Sequence, residues 1–432
     1  MSGAFEPGPQ LDAQLSALID SYPDAIKNPF ALYQFMLSLG EPYRLGDTVV
    51  VSRMDDVRKI LWDHKTYSSR AHVVGSRPEA FRARLRPHEQ RAFDELSAFE
   101  LLMVSRTDGE QHERLKAIVQ RAFKPQAIAT LEGLVDVYTR QLFDEMVASG
   151  ATDITAAVTR SLPVMMICSL MNVPYAEAPL IQGWSSRIGK NRAQGVVEDM
   201  MDAHDALMEF RDYVREKIEQ LRLDPQATNL VSTLMGASDE ERLSEDELVA
   251  MVLILLFAGA DTTKALLGNG THVFLSNPDQ WRLFAADPHG MIGTATDELI
   301  RYISPIQTLW RVTTAPVRIR DMELEAGTTI LLLTAAANRD PAVFEDPDRF
   351  DIAREDSRRN VSFGFGTHFC LGTHLAQMEC RAYFSELARR FPDIKLAQHP
   401  DSVTFGGNIQ FRTVTALEVA LGRERSREPA DA

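Results

Sequence analysis

The chain has 432 residues, and its 46 Lys and Arg against 61 Asp and Glu give a formal net charge of −15. Hydrophobic residues make up 45% and charged residues 25%, as in a folded enzyme, and the acidic balance argues against nucleic-acid or anionic-membrane partners. The three cysteines (Cys168, Cys370 and Cys380) form no CxxC pair, which excludes a disulfide framework and a four-cysteine metal site and favours a reducing cytoplasm.

No segment is expected to span a membrane. The longest apolar run, from Leu248 to Ala260, has thirteen residues and is followed by Asp261, whereas a spanning helix needs roughly 18. The N-terminal segment from Met1 to Gln14 has an early Glu and two Pro but no basic start before an apolar stretch. It is therefore not expected to be a signal peptide.

The first predicted elements are an arm and a short helix. Residues 1–28 are punctuated by Pro and Gly and are expected to lie over the surface. A helix is predicted from there to Leu39, with Asn28 as its cap, Pro29 at its first position and Gly40 after its end.

A hairpin and an irregular stretch follow. Tyr43–Leu45 and Thr48–Val51 predict the two strands of the hairpin. From Met54 the chain is predicted to be helical, and residues 64–107 are then predicted to be irregular and partly helical. The five arginines of the 77–91 segment are interpreted as a solvated face, with anion binding as the alternative.

From residue 109 to residue 274 the sequence is predicted to be almost entirely helical. Apolar residues recur at steps of three and four, the period of an amphipathic helix. The segments that show this period are 112–123, 128–147, 155–171, 198–221 and 244–275.

Beyond Glu298 the pattern changes from helix to strands and loops. Strands are predicted at Val317–Ile319 and Thr329–Leu333, and the Asp-, Arg- and Pro-rich segment 338–362 is expected to meander. A last helix is predicted from Leu371 to Arg390, followed by sheet from Val403 to Ala420.

These elements predict a mainly α protein with a minor β region. The helical body covers about 54–305 and 335–395, and the β-rich part covers about 40–55, 308–335 and 400–422. The length would allow two or three ordinary domains, but large catalytic units also reach it. Because the β region is discontinuous in sequence, we expect a single domain over residues 1–432.

The segment from Phe363 to Gly372 contains the cysteine of greatest interest. Gly364 and Gly366 allow a tight turn with positive φ before Cys370, and Gly372 allows a large flat partner to approach closely. A helix is predicted to begin immediately afterwards, so its unpaired amides should lower the pKa of the Cys370 thiol. A thiolate in this position is a nucleophile or a metal ligand.

This segment resembles the haem-ligand loop of the cytochrome P450 family. The family pattern Phe-x-x-Gly-x-x-x-Cys-x-Gly is matched by Phe363, Gly366, Cys370 and Gly372. The resemblance implies the P450 fold and one haem b with Cys370 as its axial ligand, in contact with Phe363, Gly364 and Gly372. Further matches follow the family's order across roughly 110–420.

The second match is the end of the long apolar run, Ala258-Gly259-Ala260-Asp261-Thr262. Thr262 can donate a hydrogen bond to the carbonyl of Ala258 and so open the helix, and Gly259 removes bulk at the same place. The resemblance implies that Ala258 and Gly259 lie against the haem and that Thr262 and Asp261 are catalytic, with Asp261 gating protons through water. The alternative is a core helix with a capped polar pair.

The third match is structural. Glu298 and Arg301 are three residues apart on one predicted helix, so their side chains can pair. The family adds an arginine from a Pro-x-Arg-Phe segment, which fits Arg349 in Pro347 to Phe350. This trio is interpreted as a buried ion-pair network and not as part of the catalytic machinery.

The fourth match concerns the two haem carboxylates, which need cationic or donor partners when buried. His112 and Lys116 lie four residues apart on one helical face, in a segment similar to one that the family uses for this contact. The family more often has arginine where Lys116 stands. Arg311 and His368 match its other carboxylate donors. Each of these residues taken alone could equally be a surface cation.

The resemblance implies a cytoplasmic haem-thiolate monooxygenase. Such an enzyme activates dioxygen and inserts one oxygen atom into a small apolar organic substrate, by hydroxylation, epoxidation or dealkylation. About 60 residues follow Cys370, so electrons are expected from a separate ferredoxin or flavodoxin with its reductase. Arg114, Arg121 and Lys124 are one interpretation of the docking surface, and a solvated helix face is the other.

Family geometry also predicts the pocket walls, with Gln307, Thr308 and Gln410 as candidate donors to the substrate. The predicted walls are 100–107, 175–200, Leu255–Ala258, Ile306–Leu309 and Gln410–Phe411.

Three alternatives are weaker. A zinc site at His368, Cys370 and His374 lacks the accompanying motifs. A peroxide-using haem-thiolate enzyme has no need for Asp261 and Thr262. A haem-binding sensor or carrier would bind haem without turnover.

Overall fold

The computed structural model describes residues 6–122, 125–190, 196–223, 231, 234–235 and 243–425. Helices form most of the protein, and one turn of π-helix, Thr155–Thr159, precedes α9. The helices are α1 (Pro9–Ile19), α2 (Pro23–Lys27), α3 (Phe30–Ser38), α4 (Met54–Trp62), α5 (Ser76–Arg82), α6 (Pro87–Glu100), α7 (Gly109–Ala122), α8 (Pro125–Ser149), α9 (Ser161–Met171), α10 (Ala178–Lys190), α11 (Val197–Arg222), α12 (Glu245–Ser276), α13 (Pro278–Ala286), α14 (Pro288–Ile303), α15 (Thr334–Ala337) and α16 (Thr373–Arg390).

The strands form one larger sheet and three small antiparallel pairs. They are β1 (Tyr43–Leu45), β2 (Thr48–Val51), β3 (Tyr67–Ser68), β4 (Leu309–Thr313), β5 (Val317–Ile319), β6 (Met322–Leu324), β7 (Thr329–Leu332), β8 (Lys395–Leu396), β9 (Thr404–Gly407), β10 (Arg412–Ala416) and β11 (Val419–Ala420). The five-stranded sheet has the order β1-β2-β7-β4-β3, in which β2 and β7 are parallel. The pairs are β5–β6, β8–β11 and β9–β10.

The predicted fold class and the first hairpin are confirmed. β1 and β2 pair with Tyr43 opposite Val50, as the sequence predicts. The preceding helix begins one residue later than expected, because Pro29 and not Asn28 is its cap. Within the stretch predicted to be irregular and partly helical, residues 87–100 are a regular helix. Pro87 preorganises its first turn, and the Glu89 carboxylate accepts the Arg86 amide at 2.7 Å.

The longest described helix, α12, runs through the centre of the protein. A capping box begins it, since the Ser244 hydroxyl accepts the Glu247 amide and the Glu247 carboxylate accepts the Ser244 amide. Among the described residues, it alone is long and apolar enough to cross a membrane. Because 56% of its most apolar window is buried inside the protein, it has the character of a core helix.

The two halves of α12 belong to different apolar clusters. Leu248–Leu256 packs with side chains of α6, α7 and α11. Leu266–Leu275 packs with side chains of α8, α14 and α16. The segment 258–263 lies between the two clusters, so the apolar contacts of α12 are interrupted where its small and polar residues occur. This arrangement leaves room for a cavity beside the middle of the helix.

The predicted ion-pair network is present, but one of its three members is wrong. Arg301 donates to the Glu298 carboxylate at 2.7 and 2.8 Å, and both side chains are fully buried. Arg349 does not join them through its side chain, which is 66% exposed beside Asp351. Arg354 donates to Glu298 instead, at 3.3 Å. The meander turns so that Arg349 contributes its backbone carbonyl, which accepts from Arg354 at 3.3 Å.

Candidate active site

A cavity of 340 Å³ lies between α12 and the loop that precedes α16. It gathers predicted site residues that are far apart in sequence, from α7, α12, β4 and the cysteine loop. These are His112, Lys116, Ala258, Gly259, Thr262, Arg311, Phe363, Gly364, His368, Cys370 and Gly372. Asp261 is the exception, because it lines a second cavity of 720 Å³ on another face of α12.

The loop around Cys370 has the predicted tight turn. Gly364 and Gly366 have φ of 74° and 71°, values that favour glycine. The Cys370 amide donates to the Phe363 carbonyl at 2.9 Å, which closes the loop before α16 begins. A Cβ on Gly366 would lie 3.2 Å from the backbone of Leu61, so α4 also requires glycine there. The loop is therefore held rigidly against α4.

The expected lowering of the Cys370 pKa is not found. Burial raises the pKa of the Cys370 thiol, and this outweighs the Gly372 amide and the Thr373 hydroxyl, which both favour the thiolate. A thiol loses its proton when it ligates a metal ion, so binding of iron at this sulfur and deprotonation are coupled.

His112 and Lys116 lie together on α7, as their spacing predicts. The His112 ring is buried between the Val104 carbonyl, 2.9 Å from Nδ1, and the Thr367 carbonyl, 3.2 Å from Nε2. Lys116 Nζ donates to the same Thr367 carbonyl at 2.5 Å. Burial lowers the pKa of both side chains. These contacts bring His112 and Lys116 to Thr367 of the cysteine loop, which directly precedes His368.

Arg311 and His368 complete the donor cluster. Arg311 is buried on β4, donates to the Trp310 carbonyl at 2.8 Å, and burial lowers its pKa to about 10. The His368 ring lies 4.0 Å from the His112 ring, centroid to centroid. Burial lowers the pKa of His368 to about 4, against the raising effect of Asp108.

Asp108 is the residue at this site that sequence reasoning missed. Its carboxylate accepts the Ser68 hydroxyl at 2.5 Å, the Ser69 hydroxyl at 3.0 Å and the Ser69 amide at 3.2 Å. Burial alone would raise its pKa, but the donors, His368 and the serines, outweigh burial and hold the pKa well below its usual range. Asp108 lies directly before α7, a position where aspartate often caps a helix. That pattern does not indicate the hydrogen bonds with Ser68 and Ser69.

The donor set fits a haem with its two carboxylates. His368 Nε2 is buried and lies 3.4 Å from Asp108 Oδ1, without a well-formed hydrogen bond in the part of the chain that the structure describes. Arg311 has more N–H groups than its bond to Trp310 uses. A buried nitrogen and a buried guanidinium beside one cavity call for an anionic acceptor. Asp108 does not line the cavity, whereas Lys116, Arg311 and His368 do, so an acceptor for all three would have to lie within it.

The opposite wall of the cavity is the middle of α12. Thr262 Oγ1 donates to the Ala258 carbonyl at 2.6 Å, which is the predicted bond four residues back. A Cβ on Gly259 would lie 3.0 Å from Cδ1 of Ile167, so the close crossing of α9 also favours glycine there. The small residue therefore has a packing reason that the sequence pattern did not indicate.

Asp261 faces away from Thr262. Its Oδ1 accepts from Lys264 Nζ at 2.5 Å, and both side chains are about one-third exposed. Both line the 720 Å³ cavity, which lies among α9, α10, α12 and the β9–β10 hairpin. The acid and the hydroxyl are thus neighbours in sequence on different faces of one helix.

Most predicted pocket walls border the 340 Å³ cavity, with Val104, Leu255, Ile306, Leu309 and Phe411 among them. The described part of 175–200 instead borders the larger cavity, through side chains of α10.

Two of the three candidate substrate donors are otherwise engaged. Gln307 donates to the Ile303 carbonyl at 2.9 Å and Thr308 to the Ile409 carbonyl at 3.3 Å, and neither borders the cavity. Gln410 does border it.

The remaining charged segments have local partners. Arg82 forms an ion pair with Asp94 at 2.7 Å, which supports the interpretation of the Arg-rich segment as a solvated face. Arg114 pairs with Glu247 of α12, so it is partly committed within the fold. Arg121 lies exposed on α7, and Lys124 is outside the described residues. In the described ranges, no three His, Cys, Asp or Glu side chains form a metal cluster.

Comparison with known proteins gives one consistent result. The family profile described as Cytochrome P450 matches residues 294–404. The polyketide biosynthesis cytochrome P450 PksS of Bacillus subtilis is 35% identical over 73% of this chain and 77% of its own length. The vitamin D(3) 25-hydroxylase of Pseudonocardia autotrophica is 32% identical over 87% of this chain and 89% of its own. The crystal structure of CalO2 superposes with a TM-score of 0.83 at 28% identity, over 92% of this chain and 96% of that one.

Proposed function

The chain belongs to the cytochrome P450 family, and from that premise we propose the roles of its individual residues. The protein is a haem-thiolate monooxygenase that inserts one oxygen atom of dioxygen into an organic substrate, with electrons from redox partners. Its cofactor is haem b with an axial cysteine thiolate. The observation that supports Cys370 as this ligand is its position in one cavity with Thr262 and the buried donors.

We assign binding of the cofactor to the residues of the 340 Å³ cavity. When bound, the haem supplies oxygen activation, which no side chain of the protein can provide. Cys370 would ligate from the loop side, while Phe363, Gly364 and Gly372 would lie against the ring. His112, Lys116, Arg311 and His368 would hold its carboxylates by charge-assisted hydrogen bonds.

Thr262 and Asp261 are assigned to proton delivery. The Thr262 hydroxyl holds a proton at Oγ1 on the wall opposite Cys370, with the Ala258 carbonyl as its resting partner. Asp261 takes protons from solvent on the other face of α12 and passes them to Thr262. A positioned acid of this kind typically contributes about 10²–10⁴-fold to the rate of a proton transfer.

The cavity walls favour an apolar substrate. Val104, Leu255, Ile306, Leu309 and Phe411 contribute aliphatic and aromatic surface to the space between α12 and β4. The larger of the two cavities, at 720 Å³, has the more polar lining. We therefore assign the substrate to the smaller cavity, where its apolar surface is removed from water.

We further propose a single catalytic domain over residues 1–432 that works in the cytoplasm. A ferredoxin or flavodoxin with its reductase delivers the electrons. The net charge of −15 makes nucleic acid and anionic membranes unfavourable partners.

The test is the visible spectrum of the purified, reduced protein exposed to carbon monoxide. We expect the red-shifted Soret band of a thiolate–carbonyl complex, absent in Cys370→Ala and present in Cys168→Ala, a buried cysteine outside the cavity. A band at the shorter wavelength of imidazole ligation in folded wild-type protein would contradict the assignment. Turnover with a surrogate ferredoxin and reductase then separates a monooxygenase from a haem carrier.

A further inference from the structure

We propose that Arg106 binds an anionic group of the substrate, so that the enzyme takes organic acids with an apolar body. The inference rests on the proposed function and deepens it, because it names a substrate class for the same cavity. Arg106 borders the 340 Å³ cavity at the end of the short turn Val104–Arg106, just before α7. It is not among the residues assigned to the haem.

The wall of this cavity is positively charged. Arg106, Lys116 and Arg311 border it, and in the ranges that the structure describes no Asp or Glu side chain does so. The haem would bring only two carboxylates to these three cations. A cleft lined by charges of one sign concentrates ligands of the opposite sign. The cavity therefore favours an anion in addition to those of the haem.

Arg106 has a partner of its own, apart from those of the haem-carboxylate donors. Two of these donors meet at the Thr367 carbonyl, 2.5 Å from Lys116 Nζ and 3.2 Å from His112 Nε2. Arg106 instead forms an ion pair with Glu100, the last residue of α6. Its guanidinium is therefore held at another part of the wall and can serve a different anion.

The ion pair with Glu100 is compatible with a second carboxylate. Arg106 Nη1 lies 3.4 Å from Glu100 Oε2, and the two side chains are only 6% and 9% exposed. Glu100 does not border the cavity, so it holds Arg106 from behind the wall. A guanidinium carries five N–H groups in a planar fork, and it can face one carboxylate with one edge and a second carboxylate with another.

The backbone that carries Arg106 is held in place by hydrogen bonds. The Arg106 amide donates to the Met103 carbonyl at 2.8 Å, and the Thr107 hydroxyl donates to the Val104 carbonyl at 3.1 Å. The His112 ring contacts the same Val104 carbonyl at 2.9 Å. A cation on a preorganised turn loses little conformational entropy when it binds a ligand, which favours affinity.

Apolar surface lies next to this turn. Val104 packs in one cluster with Ile254 and Leu255 of α12, and all three residues border the cavity. A ligand that places its charge at Arg106 can therefore bury an apolar body against α12. A carboxylic acid with a hydrocarbon body has this combination of properties.

The experiment measures binding to the haem-loaded, oxidised enzyme by isothermal titration calorimetry. Decanoate and decan-1-ol are the probes, because they share one chain and differ in the charged group. Wild type should bind decanoate about 10- to 100-fold more tightly than decan-1-ol, the effect of one hydrogen-bonded charge pair. Equal affinities overturn the proposal, and so does a failure of decanoate to bind.

Three variants assign the preference to Arg106. Combining Arg106→Gln with Glu100→Gln removes both charges, so that no buried carboxylate is left alone, and it should bring the two probes to within about twofold of each other. Glu100→Gln alone keeps the guanidinium and should keep the preference. Arg106→Lys should keep part of it, because it keeps the charge without the fork. A preference that survives in the double variant, or is lost in Glu100→Gln alone, overturns the proposal.

Haem content and the carbon monoxide spectrum distinguish this inference from the proposed function. If wild type lacks the thiolate–carbonyl band, the proposed function fails. If the band is normal and decanoate is not preferred, only the role of Arg106 fails. Loss of haem from the double variant would mean that Arg106 holds a haem carboxylate, which also overturns its role toward the substrate.

Discussion

Replacing Arg301 by Ala should destabilise the protein more than any change at the neighbouring arginines of the network. Both Arg301 and Glu298 have side chains that are 0% exposed, and two hydrogen bonds of 2.7 and 2.8 Å join them. Arg301 Nη1 also donates to the carbonyls of Asn338 and Pro347, each at 2.9 Å. One guanidinium thus fixes α14 to the meander that leads to the cysteine loop.

The magnitude follows from what the truncation leaves behind. Glu298 keeps the Ser357 hydroxyl at 2.7 Å and Arg354 at 3.3 Å but loses its closest cation. Breaking one side of a buried pair strands a charge and costs about 3–5 kcal/mol. Against a total stability of about 5–15 kcal/mol, Arg301→Ala should shift the urea midpoint strongly.

Urea unfolding followed by circular dichroism checks this, with two matched variants. Arg354→Ala should cost about 1–3 kcal/mol, because its side chain is 9% exposed and its bond to Glu298 is longer. Arg349→Ala should stay within about 0.5 kcal/mol, because its side chain is 66% exposed. A loss at Arg349 equal to that at Arg354, or a loss below about 1 kcal/mol in Arg301→Ala, would refute the reasoning.

Two further predictions concern packing and pH. Gly259→Ala should lower the free energy of unfolding by about 1–3 kcal/mol, because the new Cβ would lie 3.0 Å from Ile167 Cδ1. The second substitution Ile167→Val removes that atom and should recover most of the loss, as measured by urea unfolding. If the double variant recovers nothing, the clash is not the cause. Burial raises the pKa of Glu379 well above its usual value. Above about pH 4.5 the folded protein therefore retains a proton that the unfolded chain releases. The free energy of unfolding should fall as the pH rises, by up to about 1.4 kcal/mol per pH unit. Glu379→Gln should flatten this slope between pH 5 and pH 8 while the exposed Glu355→Gln keeps it, and parallel curves for wild type and Glu379→Gln would exclude the buried carboxyl as the cause.

The helices could be predicted from the sequence, and much of the strand pairing could not. The 3.6-residue period repeats over many turns in segments such as α8, α11 and α12, so its signal is strong. Strands of three or four residues show where a strand lies but not what it pairs with. Val317–Ile319 pairs with Met322–Leu324, a strand that was not predicted, while Thr329–Leu332 lies between β2 and β4.

The third member of the ion-pair network shows a similar limit. A motif indicates that an arginine is required near position 349, but the path of an irregular meander decides which one reaches Glu298. Arg354 is five residues further on and reaches it at 3.3 Å, while Arg349 points to solvent. Irregular backbone has no period from which the direction of a side chain can be inferred.

The acid and the hydroxyl of α12 separate for the opposite reason, since here the geometry is regular. Successive residues of an α-helix are about 100° apart around its axis, so Asp261 and Thr262 cannot both face Cys370. A sequence motif presents them as one pair, whereas the fold gives Thr262 to the cavity of the cysteine and Asp261 to the cavity of Lys264. The proposed proton route would therefore run across α12, from a carboxylate on the wall of one cavity to a hydroxyl on the wall of the other.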